Sequence, residues 1–276
     1  MKKNIIAAAC LLSIFSLLVS SCSKQDNESE QQPGQPEQPV SRGKISIIPT
    51  LTKVTDSNFV TGDAIGVNVI LPTGPYATNV KMVYDGSAFP SDLEWYEGTE
   101  ASTFIAWHPY SSTVPNSFAV AEDQSAGLAS SDFVAATLTG VTPTTDAIIM
   151  PFSHRMSRLE IKLVNNTGKT LGDLRIGGII PKAVLSNDFV ATAPTQSEKR
   201  EITPWAAATG RYYLLMPPQT TSLVVKFSLN GASKEYTIPS AEFGAGIQNT
   251  IEITENSVRL TGVITNWSEY DLGTAE

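Results

Sequence analysis

What most constrains this chain is a repeated alternation of apolar and polar residues with a period of two. Leu159, Ile161 and Leu163 alternate with Glu160 and Lys162, and Leu223, Val225, Phe227 and Leu229 alternate with Lys226 and Ser228. Alternation over this length predicts a β-strand with one buried face. Shorter runs rich in β-branched and aromatic residues recur at 44–51, 64–71, 81–84, 102–107, 133–138, 147–152, 174–180, 212–216, 250–254 and 258–264. Turn signals separate them: Thr61-Gly62-Asp63, Tyr84-Asp85-Gly86, Asn166-Thr167-Gly168 and Asn230-Gly231. No long stretch carries a 3.6-residue period, so helix is expected to be rare. The predicted class is all-β, built from antiparallel β-sandwiches. The span 43–276 is large for one sandwich of about 100 residues and comfortable for two. An internal echo agrees, since Lys44-Ile45-Ser46-Ile47 opens one half and Arg158-Leu159-Glu160-Ile161 the other. The expected domains are 43–152 and 153–276.

The first residues follow a different logic. Lys2 and Lys3 precede an apolar run from Ile5 to Val19, shorter than the about 20 residues a membrane span needs. It reads as a secretory signal, residues 1–21, that is removed. Val19-Ser20-Ser21-Cys22 then resembles a bacterial lipobox, with Val19 in place of the usual Leu, cleavage between Ser21 and Cys22, and lipid attachment at Cys22. Otherwise Cys22 simply lies near an ordinary cleavage site. The only other cysteine, Cys10, leaves with the signal, so no intramolecular disulfide can form in the mature chain, and an acyl anchor gives Cys22 a purpose. Residues 22–42 are rich in Gln, Glu and Pro, with Val40 as the one sizeable aliphatic, and are expected to be a disordered tether. Asp26, Glu28 and Glu30 in it resemble the surface-export signal of Bacteroidales lipoproteins, or serve as a polar spacer.

Chemistry-bearing patterns are scarce. The chain carries 27 Asp+Glu against 19 Lys+Arg, a net charge of −8, which excludes a nucleic-acid partner because phosphate binding needs a basic surface. No HExxH, GxSxG, P-loop or paired CxxC is present, and a histidine metal site would have to rest on His108 and His154 alone. Both histidines lie in or at the end of strand-like runs, where a hydrogen-bonded structural role is expected. Glu94, Glu97 and Glu100 are the acidic residues that a glycoside hydrolase could use, or simply a charged loop. Trp95, Tyr96, Trp107, Tyr110, Trp205 and Trp267 could form a sugar platform or fill the core. Neither an enzyme, a cofactor nor a metal is expected.

Seven segments, in order, resemble the fimbrillin-like pilins of Bacteroidales, the subunits of type V pili. They are ISIIPTLTK with FVTGDAIGV (44–69), FIAWHPY (104–110), DQS with SDFVAAT (123–137), PFSHRMSRLEIKL (151–163), PPQTTSLVVKF (217–227), FGAGIQNTIEI (243–253) and ITNWSE (264–269). The resemblance implies two transthyretin-like sandwiches and a role in assembly. It implies an acylated precursor at the outer membrane surface, cut by a trypsin-like protease after the first strand, which then leaves a groove for a strand of the next subunit. Carried to this sequence, the removable strand is 44–52, with Ile45, Ile47 and Leu51 as its core-facing plugs. The matching cleavage position is Lys53, where the family usually has Arg; Arg42 is the other basic candidate, but a cut there would leave the strand in place. The partners implied are other pilin subunits, the membrane through the lipid, and the maturation protease. Stalk, tip and anchor roles all remain open. The alternative is a surface lipoprotein that binds a glycan or host ligand without polymerising, with the loop aromatics as its platform.

Overall fold

The computed structural model describes residues 43–51, 59–164 and 168–265. They form nineteen strands and one short 3₁₀ turn, Ala129–Ser131. The first eight strands are β1 (Lys44–Leu51), β2 (Ala64–Leu71), β3 (Gly74–Val83), β4 (Phe89–Glu94), β5 (Ser102–His108), β6 (Ser117–Ala119), β7 (Val134–Val141) and β8 (Ile148–His154). There follow β9 (Ser157–Leu163), β10 (Leu171–Ile179), β11 (Lys182–Leu185), β12 (Ala191–Thr192), β13 (Arg200–Ile202) and β14 (Trp205–Ala208). The last are β15 (Arg211–Met216), β16 (Gln219–Leu229), β17 (Ala232–Phe243), β18 (Ile247–Ile253) and β19 (Val258–Thr265). The chain is therefore all-β, with several sheets and essentially no helix among the described residues.

Seven strands make one sheet in the order β3-β2-β5-β7-β8-β1-β4. Its inward residues, among them Ile45, Ile47, Ile65, Val67, Phe89, Phe104, Met150 and Phe152, form one hydrophobic cluster, so this sheet curls around its own core. A five-stranded sheet, β14-β15-β9-β18-β19, and a four-stranded one, β13-β10-β16-β17, enclose a second cluster that includes Leu159, Ile161, Leu214, Val225, Phe227 and Ile251. In each large sheet the opening strand lies inside and pairs in parallel with a later one: β1 with β8, and β9 with β18.

The two cores touch through β5. Phe104 and Ala106 point into the first cluster, Ile105 and Trp107 into the second, which is why this run is apolar without alternation. Trp107 lies 4.6 Å from Phe189 between ring centroids, and Phe189 lies 5.8 Å from Phe133. A small sheet, β12-β11-β6, joins strands distant in the sequence. Gln124, buried at 1% exposure, donates to Leu215 O (2.7 Å) and accepts from Leu215 N (2.8 Å).

One sequence expectation needs revision, and one long strand carries no sequence signal. β9 is not buried on one face only: Arg158 and Glu160 are 1% and 3% exposed, alongside the expected Leu159 and Ile161. β17 carries little apolar alternation and contains Pro239, yet runs for twelve residues. It is an edge strand of its sheet, where proline and polar residues are tolerated because one row of backbone groups needs no partner.

Candidate functional site

The alternation of β1 decides what the strand can do. Ile45, Ile47, Pro49 and Leu51 are buried, while Lys44 and Ile48 face outward. Ile45 and Ile47 are 1% and 0% exposed. On one side β1 pairs antiparallel with β4, with Ile47 opposite Phe89; on the other it runs parallel to β8 from Ile47 beside Ile148 to Leu51 beside Phe152. Ser91 Oγ donates to Ile45 O at 2.6 Å and Thr50 Oγ1 to Met150 O at 3.4 Å. At its exposed start, Lys44 Nζ donates to Asp92 Oδ1 at 2.5 Å, which raises the lysine pKa and lowers that of the carboxyl. Among the described residues β1 is thus the first strand in sequence, and it occupies the inside of a sheet and supplies four side chains to its core. Ile47→Ala is expected to cost about 2–5 kcal/mol, checked by the urea midpoint of the full chain.

Beyond the C-terminal end of β1 lies a cleft of about 280 Å³, lined by Leu51, Phe59, Asp63, His108, Asp132 and His154 among others. The local sequence builds it. Gly62 adopts φ +102°, a conformation that favours glycine, and the turn closes through Asp63 N donating to Val60 O and Val60 N donating to Asp63 Oδ2, both at 2.9 Å. Phe59 is held edge-on to Phe89, Phe152 and His108 with centroids 5.0, 5.3 and 5.4 Å away. His108 Nδ1 sits 2.9 Å from Ala64 O, and a carbonyl can only accept, so this nitrogen carries the proton. His154 Nδ1 lies 2.9 Å from Asp132 Oδ2. Both histidines of the chain therefore meet in one cleft with two carboxylates, and no Lys or Arg is among the described residues that line it. Among the described residues no group of three or more His, Cys, Asp or Glu is placed to hold a metal ion.

A second polar assembly occupies the face of the five-stranded sheet opposite Leu159 and Ile161. Glu160 Oε1 accepts from Tyr213 Oη at 3.2 Å, and Oε2 accepts from Thr250 Oγ1 and Gln248 Nε2 at 3.0 and 3.3 Å. Lys162 Nζ and Arg211 Nε stand 3.2 and 3.4 Å from the same carboxylate. Arg158 Nε donates to Gln248 Oε1 at 2.5 Å, and its guanidinium lies 5.3 Å from the centre of the Tyr213 ring. Burial, and then the Glu160 charge, push the Tyr213 phenol up to about 12 from 10.0. The folded state therefore holds this proton where the unfolded chain releases it, so stability falls as pH rises from about 10 to about 12. Tyr213→Phe is expected to flatten that part of an unfolding-versus-pH curve.

The structure disperses the other residues singled out from sequence. Glu94, Glu97 and Glu100 are exposed. Trp95, Tyr96 and Trp107 are buried in the cores, so they form no open sugar platform. Tyr110 lies beneath Lys81 at 5.4 Å, and Trp205 packs beside Tyr213 with centroids 6.4 Å apart. Ser21, Cys22, Arg42, Lys53 and Trp267 lie outside the described residues. Asp63 and Asp132 were not singled out as cleft residues; the Gly62-Asp63 turn was the available signal for the first.

The profile of a family described as fimbrillin-like matches residues 52–267, beginning one residue past β1. No curated protein matches the chain. Among solved structures, a candidate cell adhesion protein from Bacteroides uniformis is similar at 20% identity, covering 83% of this chain and all of that one, with a TM-score of 0.64. Another from Bacteroides ovatus has 17% identity over 82% of this chain and 98% of that one, with a TM-score of 0.66. A fimbrial protein from Bacteroides ovatus has 16% identity and a TM-score of 0.50, over 78% of this chain and 49% of that one. These likenesses establish a shared fold.

Proposed function

Because the chain belongs to the fimbrillin-like family, we propose that it is a structural fimbrial subunit made of two tandem transthyretin-like β-sandwiches, 43–152 and 153–276. It is exported as a precursor acylated at Cys22, held at the outer membrane surface, and assembled by strand exchange. A trypsin-like protease cuts after Lys53, β1 departs, and a strand from a neighbouring subunit takes its place.

One observation carries this reading: β1 is the first strand in sequence among the described residues yet interior in its sheet. Its departure would leave one side of β4 and one side of β8 without backbone partners, and would open the pockets of Ile45, Ile47, Pro49 and Leu51. Such an exposed pair of edges with an apolar floor is a template for an added strand. The repeated placement of an opening strand beside a parallel partner, in β1 with β8 and in β9 with β18, supports two similar units in tandem. The family profile that starts past β1 agrees with a boundary there. The role is assembly, without catalysis, cofactor or nucleic acid.

N-terminal mass spectrometry of the surface protein before and after mild trypsin tests this. A new N-terminus at Val54 together with SDS-resistant ladders is expected. An intact chain that begins at acylated Cys22 and never forms ladders would overturn the strand-exchange reading. Cys22→Ser is expected to abolish acyl labelling and leave unprocessed precursor; a variant that still takes up labelled palmitate would show that Cys22 is not the anchor.

A further inference from the structure

The cleft beyond β1 bears on which strand can replace it. The core-facing positions of β1 fall at every second residue, Ile45, Ile47, Pro49 and Leu51. Leu51 itself lines the cleft, together with Asp63 and Asp132. In any strand that takes the place of β1 in the same direction and register, the next core-facing position comes two residues past the one that replaces Leu51, at the mouth of this cleft.

The chemistry of that position follows from what surrounds it. Phe59 and Val134 provide apolar walls, so a side chain entering there loses water. Two carboxylates face it together with His108 and His154, of which His154 pairs with Asp132, and no Lys or Arg is among the described lining residues. Asp132 accepts from a single histidine among the described contacts, leaving acceptor capacity on its two oxygens. Asp63 has one oxygen engaged by Val60 N. A long side chain with an apolar stem and a cationic head matches this arrangement, whereas a carboxylate would meet like charges in a partly desolvated space.

We infer that the cleft selects the incoming strand: it receives a Lys or Arg side chain two residues past the last apolar plug of the strand donated by a neighbouring subunit. This inference rests on the strand-exchange reading and adds the chemistry of the partner. In this chain's own sequence the residue two past Leu51 is Lys53, which lies outside the described residues.

The test uses the full chain with a specific protease site inserted after Val54. After cutting, labelled peptides spanning 44–54 are titrated by fluorescence anisotropy: the natural sequence, Lys53→Ala and Lys53→Glu. The natural peptide is expected to bind about tenfold more tightly than the Lys53→Glu peptide, and the gap to close in protein variants Asp63→Asn and Asp132→Asn. Asn at 63 keeps an acceptor for Val60 N, so that variant retains the turn if Asp132→Asn disturbs the fold. The gap should also narrow as salt is raised from about 0.05 M to about 0.5 M. Equal binding of the three peptides would overturn the selection while leaving strand exchange standing. Failure of every peptide to bind would overturn both.

Discussion

Gly66→Val is expected to lower the unfolding free energy by about 3–5 kcal/mol, a loss comparable to removing a buried tryptophan. Gly66 lies directly opposite Trp107 in the β2–β5 pair. A Cβ placed on Gly66 would stand 2.4 Å from both Trp107 Cε2 and Cζ2, inside van der Waals contact, and valine adds two further methyls. The indole has little room to yield. It is fully buried, and Phe189 lies within 4.6 Å of it. Phe189 is itself held at φ +56°, a left-handed conformation that is costly for a bulky residue, which shows how strongly the packing there dictates position. Either Trp107 swings out and leaves a cavity between the cores, or β2 and β5 separate. Urea denaturation followed by tryptophan fluorescence checks this, and a loss below about 1 kcal/mol would mean that the indole relocates freely.

Glu160→Ala is expected to cost about 3–5 kcal/mol. The carboxylate is 3% exposed and accepts from Tyr213, Thr250 and Gln248, with Lys162 and Arg211 within 3.4 Å. Removing it leaves three hydrogen-bond donors without that acceptor and two cations without that neutralising charge in a partly buried space, and the penalty for such groups exceeds the net worth of the intact pair. Glu160→Gln keeps the shape and one acceptor oxygen, so it is expected to lose less than the alanine variant. Thermal unfolding of both variants against wild type gives the order. Equal losses would show that charge, not packing, dominates at this site.

The fold was legible where side-chain alternation is driven by a single core. Leu223, Val225, Phe227 and Leu229 are buried along β16 as their spacing predicts, and Ile45, Ile47 and Leu51 along β1 likewise. Legibility failed where a second surface covers a strand. Arg158 and Glu160 look like an outward face because both are charged, and nothing local shows that Gln248 and Thr250, about ninety positions later, surround them. The short strands β11 and β12 were missed for a related reason: their partners are each other and Ser117–Ala119, so their pairing depends on distant chain. The Gly-Asp-Ala-Ile-Gly-Val segment is a recognisable pattern, but its physical content lies in contacts that only the folded chain makes. Gly62 permits the turn, Asp63 closes it, and Gly66 makes room for Trp107. The two-histidine cleft escaped notice because β5 and β8 bring His108 and His154 together only after the sheet has curled.

The small β12-β11-β6 sheet also has a mechanical consequence. Lys182, Ala183 and Val184 pair with Ala119, Phe118 and Ser117, Gln124 clasps the backbone of Leu215, and Asp123 bridges Thr203. Residues 117–124 lie between β5 and β7 of the first sheet yet pack on the second core, so the covalent passage from β8 to β9 is not the sole link between the two cores, and separating them also pulls on these three strips. A tensile load on the molecule would be shared among them in parallel, so the subunit is expected to extend as a stiff link, with compliance appearing only when an entire core gives way.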